Sequence, residues 1–274
     1  MKTHPFKRKT FGICVAAFAA AVLSVILFSG CQTERTSMAS LKVLFETKEE
    51  IVIDCLGDSI TWGMFNTPTL KEAIASGEIK TSLDDGGQLF EDYGIYVSGV
   101  YQSDPSYPEV LEADLNEKLE EGGYPSSVKT VNDGICGDWL TKDTWRRMSC
   151  EPEIVVFLMG SNNYYFNYPA EGLLESNVEA LLKEGKIVYL ANYPFWPKGP
   201  HEEAFLKANA ELSRIAEKYQ LTLIDFSGAL ENMVQAGEVK REDLYSTDFM
   251  HLSEKGYQLL GKIAADEIYK DLKK

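Results

Sequence analysis

Short continuous apolar runs recur along the chain, and between them lie longer stretches with apolar residues at helical spacing. Ile51–Leu56, Val128–Asn132, Ile154–Met159, Ile187–Ala191 and Leu221–Asp225 are the short runs and predict strands. Lys42–Glu46 is a weaker run of the same kind. Ser106–Glu121 stops at Gly122-Gly123 and predicts a helix, as do Leu173–Glu184, Glu203–Tyr219 and Leu252–Leu272, the last with Ser253 as its N-cap. Strands that alternate with helices predict an α/β fold with a parallel sheet covered on both faces. No Pro/Gly-rich linker interrupts the chain from Leu41 onward, so residues 42–274 are read as one domain. Met64–Asp104 fits the alternation poorly. It holds a short helix pattern (Leu70–Ser76), an Asp-Asp-Gly-Gly turn (Asp84–Gly87) and a tyrosine-rich stretch (Tyr93–Tyr101).

The first thirty residues have a different pattern. Lys2, Lys7, Arg8 and Lys9 form a basic head, Phe11–Phe28 is apolar, and Ser29-Gly30 precedes Cys31. This is the layout of an export signal with a small-residue cleavage site. Cys31 after Ser-Gly resembles a bacterial lipoprotein lipobox, with Phe28 a departure from its usual aliphatic residue. That resemblance implies a lipidated Cys31, a polar tether over Gln32–Ser40, and a domain held at a membrane outside the cytoplasm. An uncleaved anchor and plain secretion are the alternatives, because eighteen apolar residues at ~1.5 Å each nearly span a bilayer core.

Composition removes some functions. The net charge is −15, and the leader carries four Lys/Arg and no Asp/Glu, so the rest is more acidic still. A body this acidic argues against nucleic acid and against electrostatic docking on anionic lipid. Beyond the leader the cysteines are Cys55, Cys136 and Cys150. An odd count without CxxC gives neither a disulfide framework nor a zinc pattern, and leaves a Cys136–Cys150 bridge open.

Candidate chemistry lies at strand ends. Ile51–Leu56 runs straight into Gly57-Asp58-Ser59, which puts a serine at the carboxyl edge of the sheet, where open α/β folds bind ligands. Beyond the leader there are two histidines. His201 lies in a loop with only Glu202 and Glu203 for acidic neighbours. His251 follows Asp248 by three residues, a spacing that lets the carboxylate orient the imidazole. Gly137 follows a short strand, where its backbone N–H could point outward, and Asn162 follows a buried strand and carries a side-chain NH₂. Those are donor types that an oxyanion hole uses, although a tight turn and an Asx cap are ordinary roles for the same residues.

Gly57-Asp58-Ser59, Gly137, Gly160-Ser161-Asn162 and Asp248-x-x-His251 together resemble, in chain order, the four blocks of the SGNH (GDSL-type) hydrolases. The resemblance covers roughly residues 50–265. It implies a flavodoxin-like three-layer α/β/α sandwich and metal-free, cofactor-free ester hydrolysis. Ser59 would be the nucleophile, His251 the base and then acid, and Asp248 its orienter, with Ser59 N–H, Gly137 N–H and Asn162 as oxyanion hole. Cys136 and Asn163 stand where the family often has Ser and Asp, which removes no required group. No G-x-S-x-G elbow occurs. Met64–Asp104 is a larger departure: about 40 residues beside the nucleophile exceed ordinary loop lengths and suggest a lid or specificity element.

Aromatic loops bear on substrate. Trp62, Tyr164, Tyr165 and Trp196 are candidate substrate contacts, because aromatic faces can stack on sugar rings or line an acyl groove. An exported esterase removing O-acetyl groups from a glycan is the first expectation, and a lysophospholipase or short-chain lipid esterase the second. A surface lipoprotein that binds a ligand without turnover is the reading from another class. Nothing in the sequence sets an oligomeric state.

Overall fold

The computed structural model describes residues 32–67, 71, 72, 75, 99–197, 199 and 201–274. The leader, Cys31, the Asp84–Gly87 turn and most of the tyrosine-rich stretch lie outside the described residues. Five strands form a parallel sheet: β1 (Glu50–Gly57), β4 (Ser127–Gly134), β5 (Ile154–Leu158), β6 (Ile187–Ala191) and β7 (Leu223–Ile224). They lie side by side in the order β4-β1-β5-β6-β7. Counted within the sheet this is the flavodoxin-like order, which reverses direction at β1. β1 is therefore an interior strand, with Gly57 opposite Gly134 on one side and Leu158 on the other. Its apolar run is buried, and β5 is buried at every position, as a sheet covered on both faces requires.

Helices α1 (Gln32–Thr47), α3 (Tyr107–Gly122) and α8 (Glu254–Leu272) pack together on one face; α5 (Leu173–Lys183) and α6 (Glu202–Tyr219) cover the other. α3 starts where its sequence predicts: the Ser106 N–H donates to Glu109 at 2.6 Å, and Leu111, Leu115 and Leu119 are buried at four-residue spacing. At the start of α8, Ser253 Oγ accepts the Gly256 N–H at 3.2 Å.

Two expectations change. Lys42–Glu46 is not a strand but part of the helix α1, which begins at Gln32, since Leu41 and Phe45 bury one face against the core. The Leu221–Asp225 run shortens to β7, because Asp225 caps a further helix, α7 (Phe226–Gln235), by accepting the Gly228 N–H at 2.9 Å. Cys136 and Cys150 are unbridged. Met64–Asp104 springs from an antiparallel ribbon, β2 (Met64–Thr67) with β3 (Gly99–Gln102), which ties its two ends together. Lys71, Glu72 and Ala75 are helical. Among the described residues no helix is long and apolar enough to cross a membrane.

Candidate active site

The site begins where β1 ends. Asp58 accepts the Ile60 N–H at 3.0 Å and opens α2 (Ser59–Trp62), a single turn that carries Ser59 at the carboxyl edge. Two glycines allow this turn to sit so close to the sheet. A Cβ on Gly134 would stand 2.1 Å from the Trp62 nitrogen, and one on Gly57 would stand 1.8 Å from Thr61 Oγ1.

Ser59 Oγ lies 2.8 Å from His251 Nε2, and His251 Nδ1 lies 2.6 Å from Asp248 Oδ2. All three residues are buried. The other Asp248 oxygen accepts the N–H groups of Met250 at 3.0 Å and His251 at 2.9 Å. Burial pushes the Asp248 carboxyl up. The His251 hydrogen bond and charge and the two backbone donors outweigh it, so the group lies below its ordinary value and is ionised at neutral pH. The turn is pinned at both ends, Ser246 N–H donating to the His251 carbonyl at 2.9 Å and Ser246 Oγ to that of Leu252 at 2.9 Å. Phe249 takes a left-handed φ of 56° inside it.

Gly137 and Asn162 meet through Asp138. Ile135 N–H donates to the Gly57 carbonyl at 3.2 Å, and Asn162 Nδ2 donates to the Asp138 carbonyl at 2.7 Å. Gly137 lies between these two anchors, with a left-handed φ of 73°. Asn162 stands on α4 (Ser161–Tyr165), which the sequence suggested only as a loop. Neighbouring Asn163 is bound entirely by backbone, taking the Leu140 N–H at 2.7 Å and donating to the Leu140 and Pro169 carbonyls.

Four candidate aromatic contacts separate in space. Trp62 is half-buried and its carbonyl accepts from Gln102 at 3.0 Å. Tyr165 is 42% exposed beside the site, whereas Tyr164, the next residue on α4, turns against the core. Trp196 is not an exposed face. It is 6% exposed and packs edge-on against Tyr245 and Phe249, so it supports the Asp248 turn from below.

Three polar contacts around the site have no local signature in the sequence. Asp58 Oδ2 accepts from Tyr193 OH at 2.6 Å and Ser161 Oγ at 3.1 Å, deep under Ser59. Burial raises its carboxyl despite those donors and the Ile60 N–H. Arg147 donates to the Gly57 carbonyl at 2.6 Å and pairs with Asp138 at 2.7 Å, joining the nucleophile strand to the Gly137 turn. His201 is 6% exposed and lies beside Asp248 and His251; burial lowers its imidazole, against the pull of Asp248. Only tertiary closure brings these side chains to the edge. Among the described residues no cluster of three His, Cys, Asp or Glu is placed to hold a metal ion.

The model of the GDSL-like Lipase/Acylhydrolase family matches residues 55–259. Among solved structures, a catalytic mutant of an acetylxylan esterase from Geobacillus stearothermophilus superposes with a TM-score of 0.52 at 16% identity, covering 80% of this chain and 94% of that one. The M. smegmatis aryl esterase gives 0.51 at 12% identity, with 80% and 99% covered. A two-domain esterase active on acetylated mannans gives 0.52 at 16% identity, with 89% and 54% covered. At these identities the likeness shows a shared fold. No curated protein matches the sequence.

Proposed function

The chain belongs to the GDSL-like lipase/acylhydrolase family and is an ester hydrolase; from that premise we propose that it cleaves carboxylic esters through a Ser59 acyl-enzyme, and that its substrates are O-acetyl groups on an extracytoplasmic glycan. One observation carries the mechanism: the continuous relay from Ser59 Oγ to His251 at 2.8 Å and from His251 to Asp248 at 2.6 Å. His251 Nε2 takes the Ser59 proton as Oγ attacks the ester carbonyl. Asp248, ionised, holds the imidazole tautomer and stabilises the imidazolium. The developing oxyanion is met by the Ser59 and Gly137 N–H groups and by the Asn162 amide hydrogen not given to Asp138. His251 then protonates the leaving alcohol, and a water activated by the same imidazole releases the acid.

Two of the proteins sharing this fold are described as an acetylxylan esterase and an esterase active on acetylated mannans. The substrate class rests on the aromatic surface beside Ser59. A fluorophosphonate probe labels the wild-type chain and not Ser59→Ala. A panel of acetylated polysaccharides, p-nitrophenyl esters of rising chain length and lysophospholipids then ranks the substrates. Preference for long acyl chains refutes the glycan reading. Absence of labelling in folded protein leaves a binding lipoprotein instead. Export and lipidation at Cys31 belong to the same proposal; palmitate incorporation that persists in Cys31→Ser refutes them. Residues 64–104 are proposed as the element that screens substrates at Ser59.

A further inference from the structure

Most large apolar side chains that the described residues leave exposed lie around one edge. Val43 and Leu206 sit on helices; the others are Tyr101 on β3 and residues of the segments after β4 and β5. Four of these are rings in mutual contact. Trp139 and Tyr168 have centroids 5.0 Å apart, Tyr168 and Phe166 5.8 Å, and Phe166 and Tyr165 4.8 Å. Each is between 42% and 49% exposed, so the strip is a surface and not a core. Its inner end reaches the neighbourhood of the relay, for the Tyr165 ring lies 5.1 Å from that of His201, which lies beside His251 and Asp248. At its outer end Tyr168 also lines a groove of about 590 Å³ walled by Glu171, Glu211 and Arg214.

We propose that this strip and groove bind an uncharged polysaccharide chain and lead it past Ser59. This inference rests on the glycan-ester reading and names how the polymer is held. Three features select the occupant. Trp and Tyr rings pair an apolar face with an N–H or O–H tip, which suits a sugar that offers C–H faces and hydroxyls together. An acyl chain calls for aliphatic walls, whereas all four members of the strip are aromatic rings. The groove wall adds three carboxylates, Glu171, Glu175 and Glu211, against Arg214 and the Lys218 paired to Glu175, which leaves it net acidic on a chain of net charge −15. That field accepts hydroxyl donors and repels a polyanion.

The test is affinity gel electrophoresis of the full chain carrying Ser59→Ala, in gels containing unacetylated xylan, galactomannan or polygalacturonate, with phosphatidylcholine vesicle flotation in parallel. Retardation by a neutral polysaccharide is expected. Trp139→Ala with Tyr168→Ala should raise the apparent Kd about tenfold or more, while Val43→Ala, an equally exposed apolar residue on α1, leaves it unchanged. Unfolding temperatures of all variants are measured alongside. No retardation by the neutral polymers, equal retardation of the double variant, or binding only to polygalacturonate or vesicles overturns the inference. Wild-type turnover of p-nitrophenyl acetate without polysaccharide binding overturns it alone. Polysaccharide binding without fluorophosphonate labelling overturns the esterase reading and leaves this one standing.

Discussion

Asp54→Asn should make the protein more stable at alkaline pH. Asp54 lies on β1, fully buried, three residues before Gly57. Its Oδ2 meets the Cys150 thiol at 3.6 Å, and its Oδ1 has no hydrogen-bond partner. Burial, followed by the neighbouring Asp133 carboxyl, raises its pKa to about 8 from the ordinary 3.8, against partial relief from Cys150 and Arg147. Between those two values the native chain keeps a proton that the unfolded chain has released. The native state therefore binds more protons, and stability falls as pH rises, by about 1.4 kcal/mol per unit. Below the unfolded value both states are protonated and the effect vanishes.

From pH 5 to pH 8 the loss amounts to at most about 4 kcal/mol. Asparagine has the same shape and no charge, and its Nδ2 can donate to Asp133. The variant should lack this slope. Asp58, shifted upward, and Asp248, shifted downward, are present in both proteins, so the difference between them isolates Asp54. The assay is urea unfolding followed by tryptophan fluorescence at pH 5, 6, 7 and 8. Wild type should lose ground to the variant steadily across that range. Parallel curves, or a variant that declines faster, would refute an uncharged, strained Asp54.

Three further outcomes follow from the site. Asn162→Ala should fold and lose on the order of 10²–10³ in kcat on p-nitrophenyl acetate; wild-type turnover would remove Asn162 from the oxyanion site. Asp248→Asn should lower kcat by about 10³–10⁴. Because the Asp248 carboxyl lies below its ordinary value, the stability it contributes is present at neutral pH and is lost only as pH falls through its folded pKa. An acid-side loss of wild-type stability that is unchanged in Asp248→Asn would contradict that pairing. Gly134→Ala should cost about 2–4 kcal/mol in thermal or urea unfolding, since its methyl group meets backbone atoms of Trp62 and Thr61; an unchanged midpoint would mean that α2 can lift off the sheet.

The blocks legible in the sequence were those whose geometry is local. An apolar run followed by Gly-Asp-Ser gives a strand and a sharp exit turn, whatever packs around it. Asp248 and His251 lie three residues apart, so one pinned turn suffices to join them. Local pattern failed where a partner was needed to choose between outcomes. Lys42–Glu46 is too short to separate a strand from a turn of helix, and the choice is made by Leu41 and Phe45 burying one face. Trp196 sits in a Pro-aromatic loop that reads as exposed, yet its ring fills the space beneath Phe249.

The residues that the sequence left unmarked share one property: each bridges segments far apart in the chain. Tyr193 reaches Asp58 across 135 positions, and Arg147 reaches Gly57 across 90. Both bonds converge on the few residues around Ser59. The flavodoxin-like order explains why they converge there. Loops from β1, β4 and β5 emerge side by side where the sheet reverses direction, so side chains from each can meet with little backbone between them. A serine at the end of either edge strand, β4 or β7, would have a neighbour on one flank only. The reversal surrounds Ser59 with the Gly137 turn on one side and Asn162 on the other, and the terminal helix brings His251 over the top. The chemistry therefore depends on the strand order as much as on the four blocks themselves.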